Sequence, residues 1–416
     1  MTATADTRVR KKSKSKLWFL VHSWLALPLW AFVLFVCLTG TIATVSQEIV
    51  WLANPAVRAA PPFADAALLG YDAILESVER EHPGAAVQFI ARPVKSQFAL
   101  TVRVGYPDAT TASLYVNPYT GHIQGSTSGF SFQQFVRALH GWLLIPFTNG
   151  YSLGWYLVSL LGLPMLGSLI TGLVVYKRFW RGFLRPRLRV GQGARVFWGD
   201  FHRLAGIWSI PFIAIISVTA IWFLIQAALQ DNHISISDEG PPPVVARQDV
   251  PTVLPGQPLP RISLDKAAQI AHETIPDLQP SFVSLPPNAF GHIRVGGRGS
   301  YPLLFETMSI NPYTGSVDET SQVSDHSALE LVTESMRPLH TGDFAGVWLK
   351  LVYFFFGLLL SMMMFSGLMI WTKRTVKETG KVAKRAAARR RGAAIRPART
   401  PLAASGRSSA ARGSHE

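Results

Sequence analysis

Leu-Trp-Phe-Leu-Val-His-Ser-Trp-Leu-Ala-Leu-Pro-Leu-Trp-Ala-Phe-Val-Leu-Phe-Val-Cys-Leu-Thr-Gly-Thr-Ile-Ala-Thr-Val-Ser-Gln, residues 17–47, contains no Asp, Glu, Lys or Arg. About 20 helical residues of this character cross the hydrocarbon of a bilayer, so the stretch reads as a membrane span. The same freedom from charge holds over residues 138–176, 204–230 and 351–372. The second run is longer than one crossing needs and contains Pro146, Asn149 and Gly150. It therefore divides into an interfacial segment near 138–147 and a spanning helix near 151–176. Four spans result.

Composition agrees. Of 416 residues, 48% are hydrophobic, and the mean hydropathy of +0.22 exceeds that of an ordinary soluble domain. The formal charge of +15 sits in blocks flanking the apolar runs rather than on one folded domain, so it reports membrane topology and not nucleic-acid binding. Cys37 is the single cysteine, which excludes an internal disulfide or a cysteine zinc cluster. Arg8, Arg10, Lys11, Lys12, Lys14 and Lys16 precede an apolar run too long for a cleaved signal, so the first span reads as a retained anchor.

Basic residues set the orientation. Lys177, Arg178, Arg181, Arg185, Arg187, Arg189 and Arg195 fill the short connection between spans two and three, and Lys373, Arg374 and Lys377 follow span four. Positive residues beside spans stay in the cytoplasm, which places both termini and the middle loop there and both long loops outside. The expected organisation is a basic N-terminus (1–16), span one (17–45), an outer module (46–137), the interfacial segment with span two (138–176), a basic loop (177–203), span three (204–230), a second outer module (231–343), span four (344–372) and a largely disordered basic tail (373–416).

The outer segments repeat one order. Residues 71–81 read as a helix followed by strands at 87–91, 98–104 and 113–116; Ser263 can cap a helix through Glu273, followed by strands near 280–285, 292–295 and 303–310. Asn117-Pro118-Tyr119-Thr120-Gly121 recurs as Asn311-Pro312-Tyr313-Thr314-Gly315, where proline presets a turn and glycine permits positive φ. Arg137-Ala138-Leu139-His140 matches Arg337-Pro338-Leu339-His340, and Val21-His22 matches Phe201-His202. Each half thus places one histidine at each membrane face.

These features, spanning roughly Lys16–Lys377, resemble the PepSY-associated transmembrane helix family, which includes iron-regulated inner-membrane proteins and siderophore-iron reductases of bacteria. The expected fold is a membrane protein of four transmembrane α-helices in two repeated halves, each with a small α+β PepSY-like module on the outer, periplasmic side. The resemblance implies a multi-pass protein of the bacterial inner membrane.

Seven histidines, His82, His122, His233, His272, His292, His326 and His415, lack paired spacing and read as solvated or locally hydrogen-bonded. His22, His140, His202 and His340 differ, because a polar ring at hydrocarbon depth needs a partner. One reading is axial ligation of b-type haem, with His22 paired to His202 on the cytoplasmic side and His140 to His340 on the outer side. Arg137 and Arg337, three residues before the outer histidines, would then face the haem propionates. The other reading has the arginines snorkel to headgroups and the histidines hydrogen-bond at helix ends. Met362, Met363 and Met364 read as core filler rather than ligands.

The resemblance favours the first reading and implies two haems, an electron donor on the cytoplasmic side (a protein or a quinol) and a ferric siderophore in the periplasm as substrate. No Gly-x-Gly-x-x-Gly follows a strand, so a flavin or nicotinamide domain is not expected within the chain. A different class of function, peptide or protease binding by PepSY-like modules without redox activity, fits the same domain plan. The residues assign neither an oligomeric state nor a siderophore-binding side chain.

Overall fold

The computed structural model describes residues 14–26, 28–93, 97–127, 129–176, 179–236, 241–254 and 256–394. The first apolar run folds as α1 (Lys14–Ala26) and α2 (Trp30–Thr44), bent by 60° at a break containing Pro28, which cannot continue the hydrogen-bond ladder. After α3 (Ser46–Ala53) come α4 (Tyr71–Glu81) and strands β1 (Ala86–Ala91), β2 (Leu100–Gly105), β3 (Thr111–Val116) and β4 (Ile123–Thr127). The chain returns through α5 (Phe132–Trp142), α6 (Leu153–Leu160), α7 (Gly162–Val175), α8 (Phe179–Leu184), α9 (Ala194–Trp208) and α10 (Ile210–Asp231). The second outer segment supplies α11 (Leu264–Thr274), β5 (Gln279–Ser284), β6 (Ile293–Arg298), β7 (Glu306–Ile310) and β8 (Val317–Ser321), followed by α12 (Ala328–Thr341) and α13 (Gly346–Ala394).

Residues 153–175, 210–231 and 346–372 are long and apolar enough to cross a membrane, and the bent α1–α2 pair is a fourth candidate. Their outward faces carry Leu157, Ile170, Phe355 and Phe365, as lipid contact requires. The expected third span at 204–230 begins later, because Pro211 opens a new helix after Ser209 and residues 204–208 belong to α9. The basic segment 373–394, expected within a disordered tail, is helical. Its Ala, Arg and Lys are strong helix formers that need no core of their own. The expectation for 395–416 lies outside the described residues.

The two segments expected to form outer modules are not separate modules. Their strands form one antiparallel sheet in the order β4-β3-β2-β1-β5-β6-β7-β8, joined where Ile90 pairs with Val283. Without that seam β1 and β5 would be open edges. Phe89 and Phe282 stack across it, 5.3 Å between ring centres. One apolar core runs under both halves of the sheet, with Ile74 and Val78 of α4 and Ala267 and Ala271 of α11 packed on Ile90, Val102, Val283 and Val295. The two Asn-Pro-Tyr-Thr-Gly turns are built alike. Asn117 Oδ1 accepts from the N–H of Tyr119 and Thr120, Asn311 Oδ1 accepts from Tyr313 and Thr314, and the glycines have φ of 73° and 78°.

In the bundle α2 packs on α13 and α7 on α10, while α1 lies on α7, α9 on α13, α5 on α2 and α12 on α10. The sheet domain joins one end of it. Trp51 Nε1 of α3 donates to the Gln97 carbonyl (2.8 Å), Arg298 to the Asp343 carbonyl (2.7 Å), and Tyr301 and Ser335 hydroxyls meet at 3.1 Å.

Candidate functional site

The four boundary histidines meet in two pairs. His22 of α1 and His202 of α9 have ring centres 6.3 Å apart with planes at 79°; His140 of α5 and His340 of α12 are 6.2 Å apart with planes at 32°. The second pair lies on the helices that follow the sheet strands, the first on the helices that precede the bends. They are sheet-proximal and sheet-distal respectively.

Each histidine ring rests against a different membrane-length helix, α2, α7, α10 or α13, in a seat the helix period creates. Residues i, i+3 and i+4 share one helix face, so a carbonyl at i, a hydroxyl at i+3 and a small residue at i+4 make a shallow polar notch. Val36-Cys37-Leu38-Thr39-Gly40 seats His140, whose Nδ1 meets the Val36 carbonyl at 3.0 Å and Thr39 Oγ1 at 3.4 Å. Ser168-Leu169-Ile170-Thr171-Gly172 seats His22 (Ser168 carbonyl 3.1 Å, Thr171 Oγ1 3.0 Å), and Met363-Met364-Phe365-Ser366-Gly367 seats His202 (Met363 carbonyl 3.1 Å, Ser366 Oγ 3.0 Å). Ile216-Ser217-Val218-Thr219-Ala220 seats His340 through Thr219 Oγ1 at 2.7 Å. Sequence reasoning missed these seats, although a Thr-Gly, Ser-Gly or Thr-Ala pair inside every apolar run was the available signal.

The seats decide the tautomer. Thr39, Thr171, Thr219 and Ser366 can each donate the hydroxyl proton to a carbonyl of their own helix, at 3.0 Å or less. At His22, His140 and His202 the carbonyl can only accept, so Nδ1 carries the proton and Nε2 is a bare lone pair, the form that binds a metal. At His340 the partner is the Thr219 hydroxyl, which can donate or accept; all four Nδ1 contacts fix ring orientation.

Two imidazoles on opposite sides of one metal, with metal–nitrogen bonds of about 2.0–2.1 Å, have ring centres roughly 6.3 Å apart. Both pairs match that spacing. A protein-only zinc centre takes three or four ligands, whereas haem brings its own four in-plane nitrogens and needs two axial ones. Among the described residues no group of three or more His, Cys, Asp or Glu gathers; the donor set is two pairs of imidazoles, the number haem takes as axial ligands.

The sheet-distal pair opens into a cavity of about 540 Å³, lined mainly by apolar side chains and by Tyr176, Arg195 and Trp371. That volume lies within the ~300–1,000 Å³ of cofactor sites. At its rim Arg203, together with Arg189 (Nε to Oδ2 2.7 Å), clamps the buried Asp200 carboxylate and holds its pKa far below the usual range, the Arg189 hydrogen bond being the main cause. Met363 lines the cavity but reaches His202 through its backbone, and Met364 packs on Val33, Val36 and Leu161. At the sheet-proximal pair, Phe223 lies edge-on to His340 at 5.2 Å. Arg137 and Arg337 stand close together there, and desolvation followed by the Arg337 charge lowers the Arg137 pKa. Neither guanidinium forms an ion pair or hydrogen bond among the described residues, and the Asp343 charge partly offsets the repulsion at Arg137.

Of the remaining histidines, His292 Nε2 donates to Asp318 Oδ2 (2.7 Å), His82 meets Tyr106 Oη (3.2 Å) and His326 meets Ser321 Oγ (3.2 Å). These are local contacts. His415 lies outside the described residues.

A bundle of membrane-length helices that holds paired histidines and carries an antiparallel sheet domain at one end defines a multi-pass membrane protein. The family model described as the PepSY-associated TM region matches residues 19–374, and the chain belongs to that family. It is 31% identical over 125 residues to Uncharacterized protein PA4219 of Pseudomonas aeruginosa, a match covering 27% of this chain and 29% of that protein.

Proposed function

We propose that this protein is a haem-containing electron-transfer protein of the bacterial inner membrane that reduces an extracytoplasmic substrate, a ferric siderophore, for iron acquisition. The observation that carries the reading is the pair of histidine pairs at trans-axial spacing, each ring held through Nδ1. His22 and His202 would hold one b-type haem, and His140 and His340 a second. Haem, when bound, supplies reversible one-electron chemistry.

The chain's own residues do the rest. The apolar walls of the sheet-distal cavity keep water from the iron ligands, and Arg195 offers charge for a propionate at its rim. Arg137 and Arg337 do the same at the sheet-proximal site. The helix–sheet order recurs in each half of the chain, and the histidine seats follow the same repeat, which supports a two-halves layout. Basic residues flanking α7, α9 and the end of span four argue that both termini are cytoplasmic and the sheet domain periplasmic. The donor, a protein or a quinol, would then act at the sheet-distal pair and the substrate at the sheet-proximal one. Reduction loosens iron because hard oxygen chelators hold the ferric ion far better than the ferrous.

Purified full-length protein from haem-replete cells should show reduced-minus-oxidised bands of b-type haem, two per chain. His140→Ala or His340→Ala should remove one haem, His22→Ala or His202→Ala the other. A well-folded, colourless preparation would sink the proposal and leave peptide or protease binding by the sheet domain as the reading to pursue.

A further inference from the structure

Three of the four imidazoles have two hydrogen-bond partners at Nδ1, a carbonyl and a hydroxyl; His340 has one, the Thr219 hydroxyl. The seats also differ in their last residue, which is Gly40, Gly172 or Gly367 in three cases and Ala220 in the fourth. A Cβ added at Gly40 would lie 2.6 Å from His140 Cε1; at Gly172 and Gly367 it would make ordinary contact, 3.5 and 3.4 Å from the Cε1 atoms of His22 and His202.

From this we infer that Thr219 is the positioning residue that holds His340 through Nδ1, its sole hydrogen-bond partner there among the described residues, whereas the hydroxyls of Thr39, Thr171 and Ser366 are each backed by a carbonyl. The inference rests on the haem reading above and deepens it. Without the Thr219 hydroxyl, Nδ1 has no hydrogen-bond partner, the ring loses its fixed orientation, and Nε2 becomes a weaker donor to iron. Orienting partners of this kind are typically worth about 10–100-fold in metal affinity. A weaker donor also stabilises ferric iron less, so the potential of the sheet-proximal haem rises.

The test uses full-length protein purified in detergent, with haem per chain and a spectroscopic redox titration as readouts. Thr219→Val should lose one haem on washing or shift one of two redox waves upward, by more than Thr39→Val, Thr171→Val or Ser366→Ala, where the carbonyl contact persists. Thr219→Ser should behave as the parent. If Thr219→Val matches Thr39→Val, or strips both haems, the inference is wrong. A parent protein without haem overturns the proposed function itself, and with it this assignment.

Discussion

Asp72 and Asp265 cap each other's helices. The Asp72 carboxylate accepts from the N–H groups of Leu264 (2.8 Å) and Asp265 (3.1 Å) at the start of α11, and the Asp265 carboxylate accepts from Tyr71 (2.6 Å) and Asp72 (3.3 Å) at the start of α4. Free N–H groups and the positive end of the helix dipole are thereby satisfied in both directions. This exchange locks the helical layer together directly over the β1–β5 seam, so two segments nearly 200 residues apart in the chain become one domain.

Gly70, the residue before α4, has no side chain to cap its helix and leaves room for Asp265. Serine is ordinarily a better N-cap. Here a Cβ would lie 2.2 Å from Asp265 Oδ2, so Gly70→Ser should destabilise by about 1–3 kcal/mol, the usual cost of overpacking. In an Asp265→Ala background the same change should be neutral or stabilising. Thermal unfolding of the four proteins of this cycle, followed by circular dichroism in detergent, measures the reversal.

Acid should loosen the same contact. Partial desolvation raises the Asp72 pKa, but the backbone donors Leu264 and Asp265, with Ser263, outweigh it and hold the value below the ordinary one. A carboxylate whose folded pKa is depressed contributes its full stability above the unfolded pKa, near ~3.9, and loses it as pH falls through the lower folded value. Melting temperature should therefore drop below about pH 4 more steeply for the parent than for Asp72→Asn, which has no proton to gain there. Parallel pH profiles for the two would exclude Asp72 as the source.

The charge-free runs and the paired boundary histidines make the bundle readable from sequence, because excluding charge from lipid and placing imidazole beside it are both constraints on residue type. The helices at 71–81 and 264–274 are equally readable, through their periodicity and the Ser263 cap. Fusion of the two outer segments is not. A strand seam is made by backbone groups that every residue possesses, and only the Phe89–Phe282 stack marks it afterwards. The bends at Pro28 and Ser209 left proline as their only trace inside otherwise continuous apolar runs. The histidine seats escaped notice because a threonine or serine bonded to its own helix is common in spans, and its second role appears only once another helix crosses it.

Gly40 makes the closest approach to any of the four rings. Its missing Cβ would be 2.6 Å from His140 Cε1, nearer than real side chains approach, whereas Gly172 and Gly367 leave ordinary or slightly tight spacing to His22 and His202. Gly40→Ala should therefore push His140 from its seat and, on the proposed haem reading, cost the sheet-proximal haem, while Gly172→Ala and Gly367→Ala keep both. Haem per chain, set beside the thermal midpoint of the same preparations, separates local displacement from unfolding. Equal retention by all three variants would mean that His140 is not seated as described.

The two pairs should also differ in magnetic signature. Imidazole planes cross at 79° in the His22–His202 pair and at 32° in the His140–His340 pair, and the Nδ1 contacts to separate helices resist rotation of the rings. On low-spin ferric iron, nearly perpendicular axial rings leave two d orbitals almost degenerate, while nearly parallel rings split them. Frozen, fully oxidised protein should accordingly give two electron paramagnetic resonance signals, one dominated by a single broad low-field feature and one rhombic. His22→Ala should abolish the first alone and His140→Ala the second alone. Two indistinguishable signals would mean that the seats do not hold the rings at these angles once iron is bound.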